Sequence, residues 1–339
     1  MSSKKQKPIN LALQGGGAHG AFTWGVLDYL LEDGRLDFEG VSATSAGAMN
    51  AAALAYGKSS GGPERAREVL EHFWHEISRE GRAFMPFTQN LSLAKNALYA
   101  FFDKFTHSLS PYQFNPMNYN PLKNVLERTI DFDEIHACQC MDLFITATEV
   151  HTGAAKVFEN KEITQDVLLA TAALPFLYQA VEINGHHYWD GGYIGNPSLW
   201  PLFYHAETRD ILIVHVNPIK RDELPKEAFA IEDRMNEITF NASLLKELRA
   251  IDFVKKLINE DMLKDEYKDR YKDILLHAVR ADDVMRDLSI ASKFDTDWGF
   301  MKDLRDTGRQ EAKIWLDNHY KDIGKRSSVD IQKEYLAAG

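Results

Sequence analysis

The chain has 339 residues, 45% of them hydrophobic and 26% charged, with 39 Lys and Arg against 50 Asp and Glu for a formal net charge of −11. That balance is globular and excludes a disordered tail, a collagen-like fibre or a coiled coil, and so acidic a chain is a poor match for nucleic acid. Two cysteines, Cys138 and Cys140, cannot build a disulfide scaffold, so they are read as reduced thiols in a cytoplasmic protein.

The N-terminus is polar, with Lys4, Lys5 and Lys7, and no apolar stretch follows it. No secretory signal is expected. Ile9–Leu13 is a short apolar run closed by Gly15-Gly16-Gly17, which predicts a buried strand ending in a tight turn. Phe22, Val26, Leu27, Leu30 and Leu31 then recur at helical spacing. Phe38–Thr44 is a second strand, and Ala-rich Ala46–Tyr56 a helix able to pack closely on a sheet. Strand, helix, strand, helix predicts parallel pairing.

Residues 84–121 are rich in Phe and Tyr, with Pro and Asn in their second half. They are expected to form either an irregular cover for the core or a lid facing an interface. Strands are expected again at Leu143–Val150 and Ala154–Phe158, joined through Thr152-Gly153, then at His186–Trp189 and Ile211–Val216. Asp166–Leu174 reads as a short helix stopped by Pro175. The longest apolar-looking run, Val167–Val181, is too short to span a bilayer. Lys220–Arg234, charged and Pro-containing, reads as a loop. Helices are expected over Met235–Leu257, whose apolar stripe reads as core rather than membrane contact, and over Asp303–His319.

Three local patterns carry chemistry. The loop Gly15-Gly16-Gly17-Ala18-His19-Gly20 lies between a strand and a helix, where free backbone N–H groups and the helix dipole favour negative charge. Gly15, Gly17 and Gly20 also satisfy the dinucleotide pattern, with Asp37 and Glu39 near its acidic position. The other reading is an oxyanion hole for acyl transfer. Ala43-Thr44-Ser45-Ala46-Gly47 has the strand–turn–helix setting of a nucleophile elbow, whose sharp turn needs small neighbours and in which Ala46 can offer its N–H to the oxyanion. Asp190-Gly191-Gly192 ends a short strand and can supply the base that a serine needs. By chain order His205, His215 or His277 could complete a triad instead. Cys138-Gln139-Cys140 lacks the second ligand pair of a zinc site.

In this order the three patterns resemble the patatin-like phospholipases. The resemblance rests on GGGAHG with Gly25-Val26-Leu27 behind it, on ATSAG, and on Ala170–Pro175 leading through Val181-Glu182-Ile183 and Tyr188-Trp189 to Asp190-Gly191-Gly192. It implies a three-layer α/β/α sandwich with a mostly parallel central sheet over residues 8–218, and a mainly helical extension over 219–339. It further implies a lipid acyl hydrolase with Ser45 as nucleophile and Asp190 as proton acceptor. The amides of Gly16, Gly17 and Ala18, helped by Ala46, would form the oxyanion hole, framed by Gly15, Gly20, Gly47, Gly191 and Gly192. No metal or cofactor is expected for that step. The expected partner is a lipid ester, met with or without peripheral contact to a lipid surface, and oligomeric state is left open. The alternatives are a catalytically silent lipid-binding member of the fold and the dinucleotide-binding oxidoreductase. Two positions depart from the family pattern: Ala43 opens the elbow in place of Gly, and His19 stands where many members carry Arg or Lys.

Overall fold

The computed structural model describes residues 6–84, 109–268 and 270–337. Residues 85–108, the middle of the aromatic-rich stretch, and Lys4 and Lys5 lie outside the described residues.

Alternation within the strands explains the layering. In β1 (Lys7–Leu13), Ile9, Leu11 and Leu13 face one apolar cluster and Ala12 the other. The remaining strands are β2 (Leu36–Ala43), β3 (Asp142–Glu149), β4 (Ala155–Glu159), β5 (Val181–Ile183), β6 (His186–Asp190), β7 (Asp210–Val214) and β8 (Leu275–Val279). Their order is β5-β6-β3-β2-β1-β7-β8, with β4 also paired to β3. The centre, from β3 through β2, β1 and β7 to β8, is parallel, and the β3–β4, β3–β6 and β5–β6 pairings are antiparallel. Central strands buried on both faces are what parallel sheets require.

One face is covered by α1 (Gly20–Asp33), α2 (Ala46–Phe84) and a late helix, Trp298–His319. The other is covered by Trp200–His205 and the long helix Ala228–Asn259, through Leu202, Leu244, Leu248 and Ile251. The result is an α/β/α sandwich. Helix α1 ends where Gly34, at φ 70, returns its N–H to the Leu30 carbonyl. Helix α2 runs well past Tyr56 but is broken at Gly61-Gly62, with Gly62 at φ 78. The short helix α3 (Gln165–Thr171) starts on a Thr164 side-chain cap and stops before Pro175. The Thr152-Gly153 turn joins β3 and β4, with Gly153 at φ 68.

The long helix that follows is α4 (Ala228–Asn259), and it corrects one expectation. Lys220–Arg234 is a loop only as far as Glu227, because Ala228 to Ile231 already continue the apolar, helix-forming run. The last long helix, α5 (Trp298–His319), packs on α1 with backbones almost touching. A Cβ at Gly25 would run into the Arg305 carbonyl, and one at Gly308 into the Phe22 carbonyl. The region after residue 219 is mainly helical, and it also lends β8 to the sheet, parallel to β7 from Asp210↔Leu275 to Val214↔Val279.

The cysteines are a second correction. Cys138 and Cys140 are joined in a disulfide, not left as reduced thiols. A separation of two residues places their Cα atoms 5.3 Å apart, inside the range a disulfide spans. The bridge is strictly local, so it leaves the scaffold argument intact and removes the free-thiol argument for a cytoplasmic location. No helix among the described residues is long and apolar enough to cross a membrane.

Candidate active site

Register alone brings the serine turn and the Asp190 turn together. Strand β2 ends at Ala43, opposite Ile145 of β3. Strand β6 pairs with β3 two residues further on, where Asp190 lies opposite Ala147. Because β4 occupies the other side of β3, β6 lies on the same side as β2 and continues its edge. Ser45, two residues past the end of β2, therefore meets Asp190 at the end of β6, at the carboxyl ends of the parallel strands.

Ser45 has φ 53, a left-handed conformation that costs a non-glycine residue of order 1–3 kcal/mol. The surroundings hold it there. Its N–H donates to Thr171 Oγ1 at 3.0 Å, and the Thr171 hydroxyl donates to the Thr146 carbonyl at 2.5 Å. Thr44 Oγ1 donates to the Gly195 carbonyl at 2.7 Å. Space is the other constraint. A Cβ at Gly15 would stand 2.7 Å from Ser45 Cβ, and one at Gly47 would strike the Leu13 carbonyl of β1. Ala43 fits, fully buried, as the last residue of β2. Helix α2 begins at Ala46, and its first N–H has no partner among the described residues.

Asp190 is 1% exposed. The Gly192 N–H donates to its Oδ1 at 2.7 Å, and the Ser45 hydroxyl is a second donor whose influence favours the ionised form. Burial pushes its pKa up to about 6, opposed by those two donors and by the charge of Lys293. Its backbone is fixed on both sides: its N–H donates to Ala173 and its carbonyl accepts from Thr148 Oγ1 at 2.7 Å. Gly191 and Gly192 are needed for close approach, since Cβ atoms there would strike the Thr146 carbonyl and the Phe240 ring.

The glycine loop closes the site from β1. Gly17 lies at φ 59 and opens a 3-10 turn, Gly17–His19, that runs into α1 at Gly20. Gly15 donates its N–H to Asn196 Oδ1 at 2.7 Å. Among the described residues nothing accepts from the amides of Gly16, Gly17 and Ala18. Three unpartnered N–H groups at a helix entrance suit an oxyanion. Gly20 packs on Ala46, so the loop and the serine turn share a wall. His19 is buried, its Nε2 is 2.7 Å from Ser292 Oγ, and burial with the nearby Lys293 charge holds its pKa down at about 3. It is a neutral tether at pH 7, with no charge to offer an anion.

Sequence reasoning missed the polar network behind the loop. Gln14 Oε1 accepts from the amides of Val216 and Asn217, while its Nε2 donates to Asn241 Oδ1 at 3.1 Å. Asn217 Nδ2 donates to the Gly15 carbonyl at 2.8 Å. Asn196 is fully buried and bridges the Gly15 N–H to the Phe240 carbonyl of α4. The peptide bond between Asn196 and Pro197 is cis. Lys293 Nζ donates to Asn217 Oδ1 at 2.9 Å and to Asn236 Oδ1 at 2.7 Å. Each of these is an ordinary Asn, Gln or Lys in sequence, and only the fold gathers them.

The other candidates fall elsewhere. His277 is buried between Asp210, at 3.0 Å, and Ser328, at 3.0 Å, and Asp210 opens β7 at the end of the sheet opposite to Ser45. His215 faces the Tyr335 hydroxyl at 2.9 Å, and His205 is exposed with its ring against Phe144. The dinucleotide reading fails on register. Asp37 pairs with Pro8, five residues and roughly 17 Å of strand before β1 ends at the glycine loop. Glu39 accepts from the amides of Glu207 and Thr208. Among the described residues, no group of three or more His, Cys, Asp or Glu could hold a metal ion.

A model of the patatin-like phospholipase family matches residues 11–203. No curated protein sequence matches the chain. Among solved structures the chain is similar to VipD from Legionella pneumophila, with a TM-score of 0.47 and 13% identity, covering 98% of this chain and 73% of that one.

Proposed function

Since this chain belongs to the patatin-like phospholipase family, we propose that it is a serine lipid acyl hydrolase working through a Ser45–Asp190 dyad. The observation that carries the reading is the left-handed Ser45 at a strand–helix turn, brought by the β3 register to the end of β6 where the Asp190 carboxylate is buried. Ser45 Oγ attacks the ester carbonyl while Asp190 accepts the hydroxyl proton. The amides of Gly16, Gly17 and Ala18, with Ala46, hold the negative oxygen of the tetrahedral intermediate, at ~3 kcal/mol for each effective donor. The alcohol leaves with the proton that Asp190 took up, and an acyl ester remains on Ser45. Water, deprotonated by the same carboxylate, then releases the acid. The substrate class is the acyl ester of a phospholipid or lysophospholipid, and residues 8–218 carry the chemistry.

The test is hydrolysis of a short-chain nitrophenyl ester beside phosphatidylcholine vesicles, with EDTA present, for wild type, Ser45→Ala and Asp190→Asn. Both variants should lose at least a thousandfold in kcat while remaining folded. Near-normal hydrolysis by either variant refutes the dyad. A fluorophosphonate that fails to label Ser45 in the wild type would instead favour a silent lipid-binding protein.

A further inference from the structure

Among the described residues, the cation whose charge bears on both Asp190 and His19 comes from outside the matched region 11–203. Lys293 lies in a 3-10 turn, Ile290–Phe294, that packs against the glycine loop. Gly17 has no room for a Cβ because the Lys293 carbonyl is there. The charge of the Lys293 side chain bears on Asp190. Its ammonium stands 5.3 Å over the ring of Phe240, and that ring is what denies Gly192 a Cβ. Its two hydrogen-bond acceptors, Asn217 and Asn236, are neutral amide oxygens, and Asn217 in turn holds the Gly15 carbonyl.

An ion-pair explanation for this lysine does not fit. The nearby Glu237 is already engaged by Arg221 at 2.5 Å and Arg234 at 3.0 Å, and Asp233 accepts the Ile290 N–H. A partly buried ammonium held by neutral partners is costly, and such groups gather at functional sites. Burial draws its pKa down to about 8, against the pull of Glu237, Asp233 and Asp190. It therefore remains charged at neutral pH.

We infer that Lys293 is a positioning residue for the hydrolysis, clamping the glycine loop to the Asp190 turn and keeping positive charge beside the carboxylate so that it stays ionised. The inference rests on the dyad reading. Among the described residues, the groups whose charge or hydrogen bonds bear on Asp190 are the Ser45 hydroxyl, the Gly192 amide, Lys293 and Tyr193, whose phenol is pushed up to about 12 by burial and by Asp190 itself. Only Lys293 among them is cationic. His19 faces Lys293 from the loop and stays neutral.

The test is the pH dependence of kcat/KM for the full chain on a short-chain nitrophenyl ester, for wild type, Lys293→Arg, Lys293→Gln and Lys293→Met, with fluorophosphonate labelling of Ser45 and Tm in parallel. Loss of the charge moves the acid limb to higher pH. The Gln and Met variants should fall roughly fivefold at pH 6 and less than about threefold at pH 8, a limb displacement of the order of one pH unit. Lys293→Arg should keep the wild-type limb. Lys293→Gln retains hydrogen bonding to the two asparagines, so it reads the charge alone. A Gln variant with the wild-type limb, whatever its rate, overturns the inference. So does loss of folded protein in both neutral variants, which would make Lys293 a structural post. If the wild type neither hydrolyses the ester nor labels at Ser45, the dyad reading itself fails and the role of Lys293 falls with it.

Discussion

Replacing Asp190 by Asn should make this protein more stable at neutral pH and inactive at once. Burial raises the Asp190 pKa from 3.8 to about 6, so the folded chain prefers the neutral acid. The stabilising contribution of that group is complete below pH 3.8 and is lost as the pH rises through about 6. At ~1.4 kcal/mol for each tenfold change in proton affinity, keeping Asp190 ionised at pH 7 costs the fold about 3 kcal/mol. The Asn side chain is neutral at every pH and can still accept the Gly192 N–H through its oxygen. Its NH2 group must find an acceptor, which returns ~1 kcal/mol. A net gain of about 2 kcal/mol remains. With an unfolding entropy of ~2.1 cal/mol/K per residue over 339 residues, that is a rise in Tm of about 3 °C. Thermal unfolding of wild type and Asp190→Asn at pH 7.5 and at pH 4 measures it. The variant should lead at pH 7.5 and the two should converge at pH 4. A variant that is less stable at pH 7.5, or whose lead is the same at both pH values, refutes the argument that ionised Asp190 is held against the preference of its site.

Further expectations follow from the same geometry. Wild-type kcat/KM should fall as the pH drops through about 6, because a protonated Asp190 cannot accept the Ser45 proton; a profile flat from pH 5 to 8 would contradict this. Thr171→Val should strand the Ser45 N–H and the Thr146 carbonyl, costing ~2–4 kcal/mol in urea unfolding and slowing fluorophosphonate labelling, whereas Thr171→Ser should keep most of both. Gly47→Ala should cost more than ~3 kcal/mol or prevent folding, because its methyl group would be driven into the β1 backbone. His205→Ala should leave hydrolysis of the nitrophenyl ester within about twofold, and His277→Gln should lower Tm without removing activity.

What was legible in the sequence was whatever sterics write locally. Three adjacent glycines after an apolar strand, or a serine between small residues at a strand–helix turn, leave few alternatives for the backbone. Gly17 at φ 59 and Ser45 at φ 53 are those turns realised. The meeting of Ser45 with Asp190 was legible through the resemblance, and the structure supplies its physical cause in the two-residue step between the β2 and β6 pairings on β3. Contacts made at a distance were not legible. Asn196, Asn217, Asn241 and Lys293 carry no local signature, because each acts through a partner 23 to 202 residues away. Strand β8 is five residues long and contains His277, so its apolar run was too brief to stand out. The Cys138–Cys140 bridge escaped because cysteine counting asks about scaffolds, and a link across one residue is not one.

The late arrival of β8 has a consequence for synthesis. Its pairing edge on β7 is complete at Val214, but β8 itself ends sixty-five residues later, at Val279. At ~5–20 residues per second, a ribosome leaves that edge without its partner strand for roughly 3–13 s. The nascent chain spends that interval with the five-residue strand Asp210–Val214 open on one side, a template for any extended segment nearby. Slow translation through residues 215–279 would lengthen the hazard, and a chaperone able to hold that strand edge would shorten its effect. Yield of soluble protein should therefore respond more to codon usage between β7 and β8 than to the same changes made after residue 320.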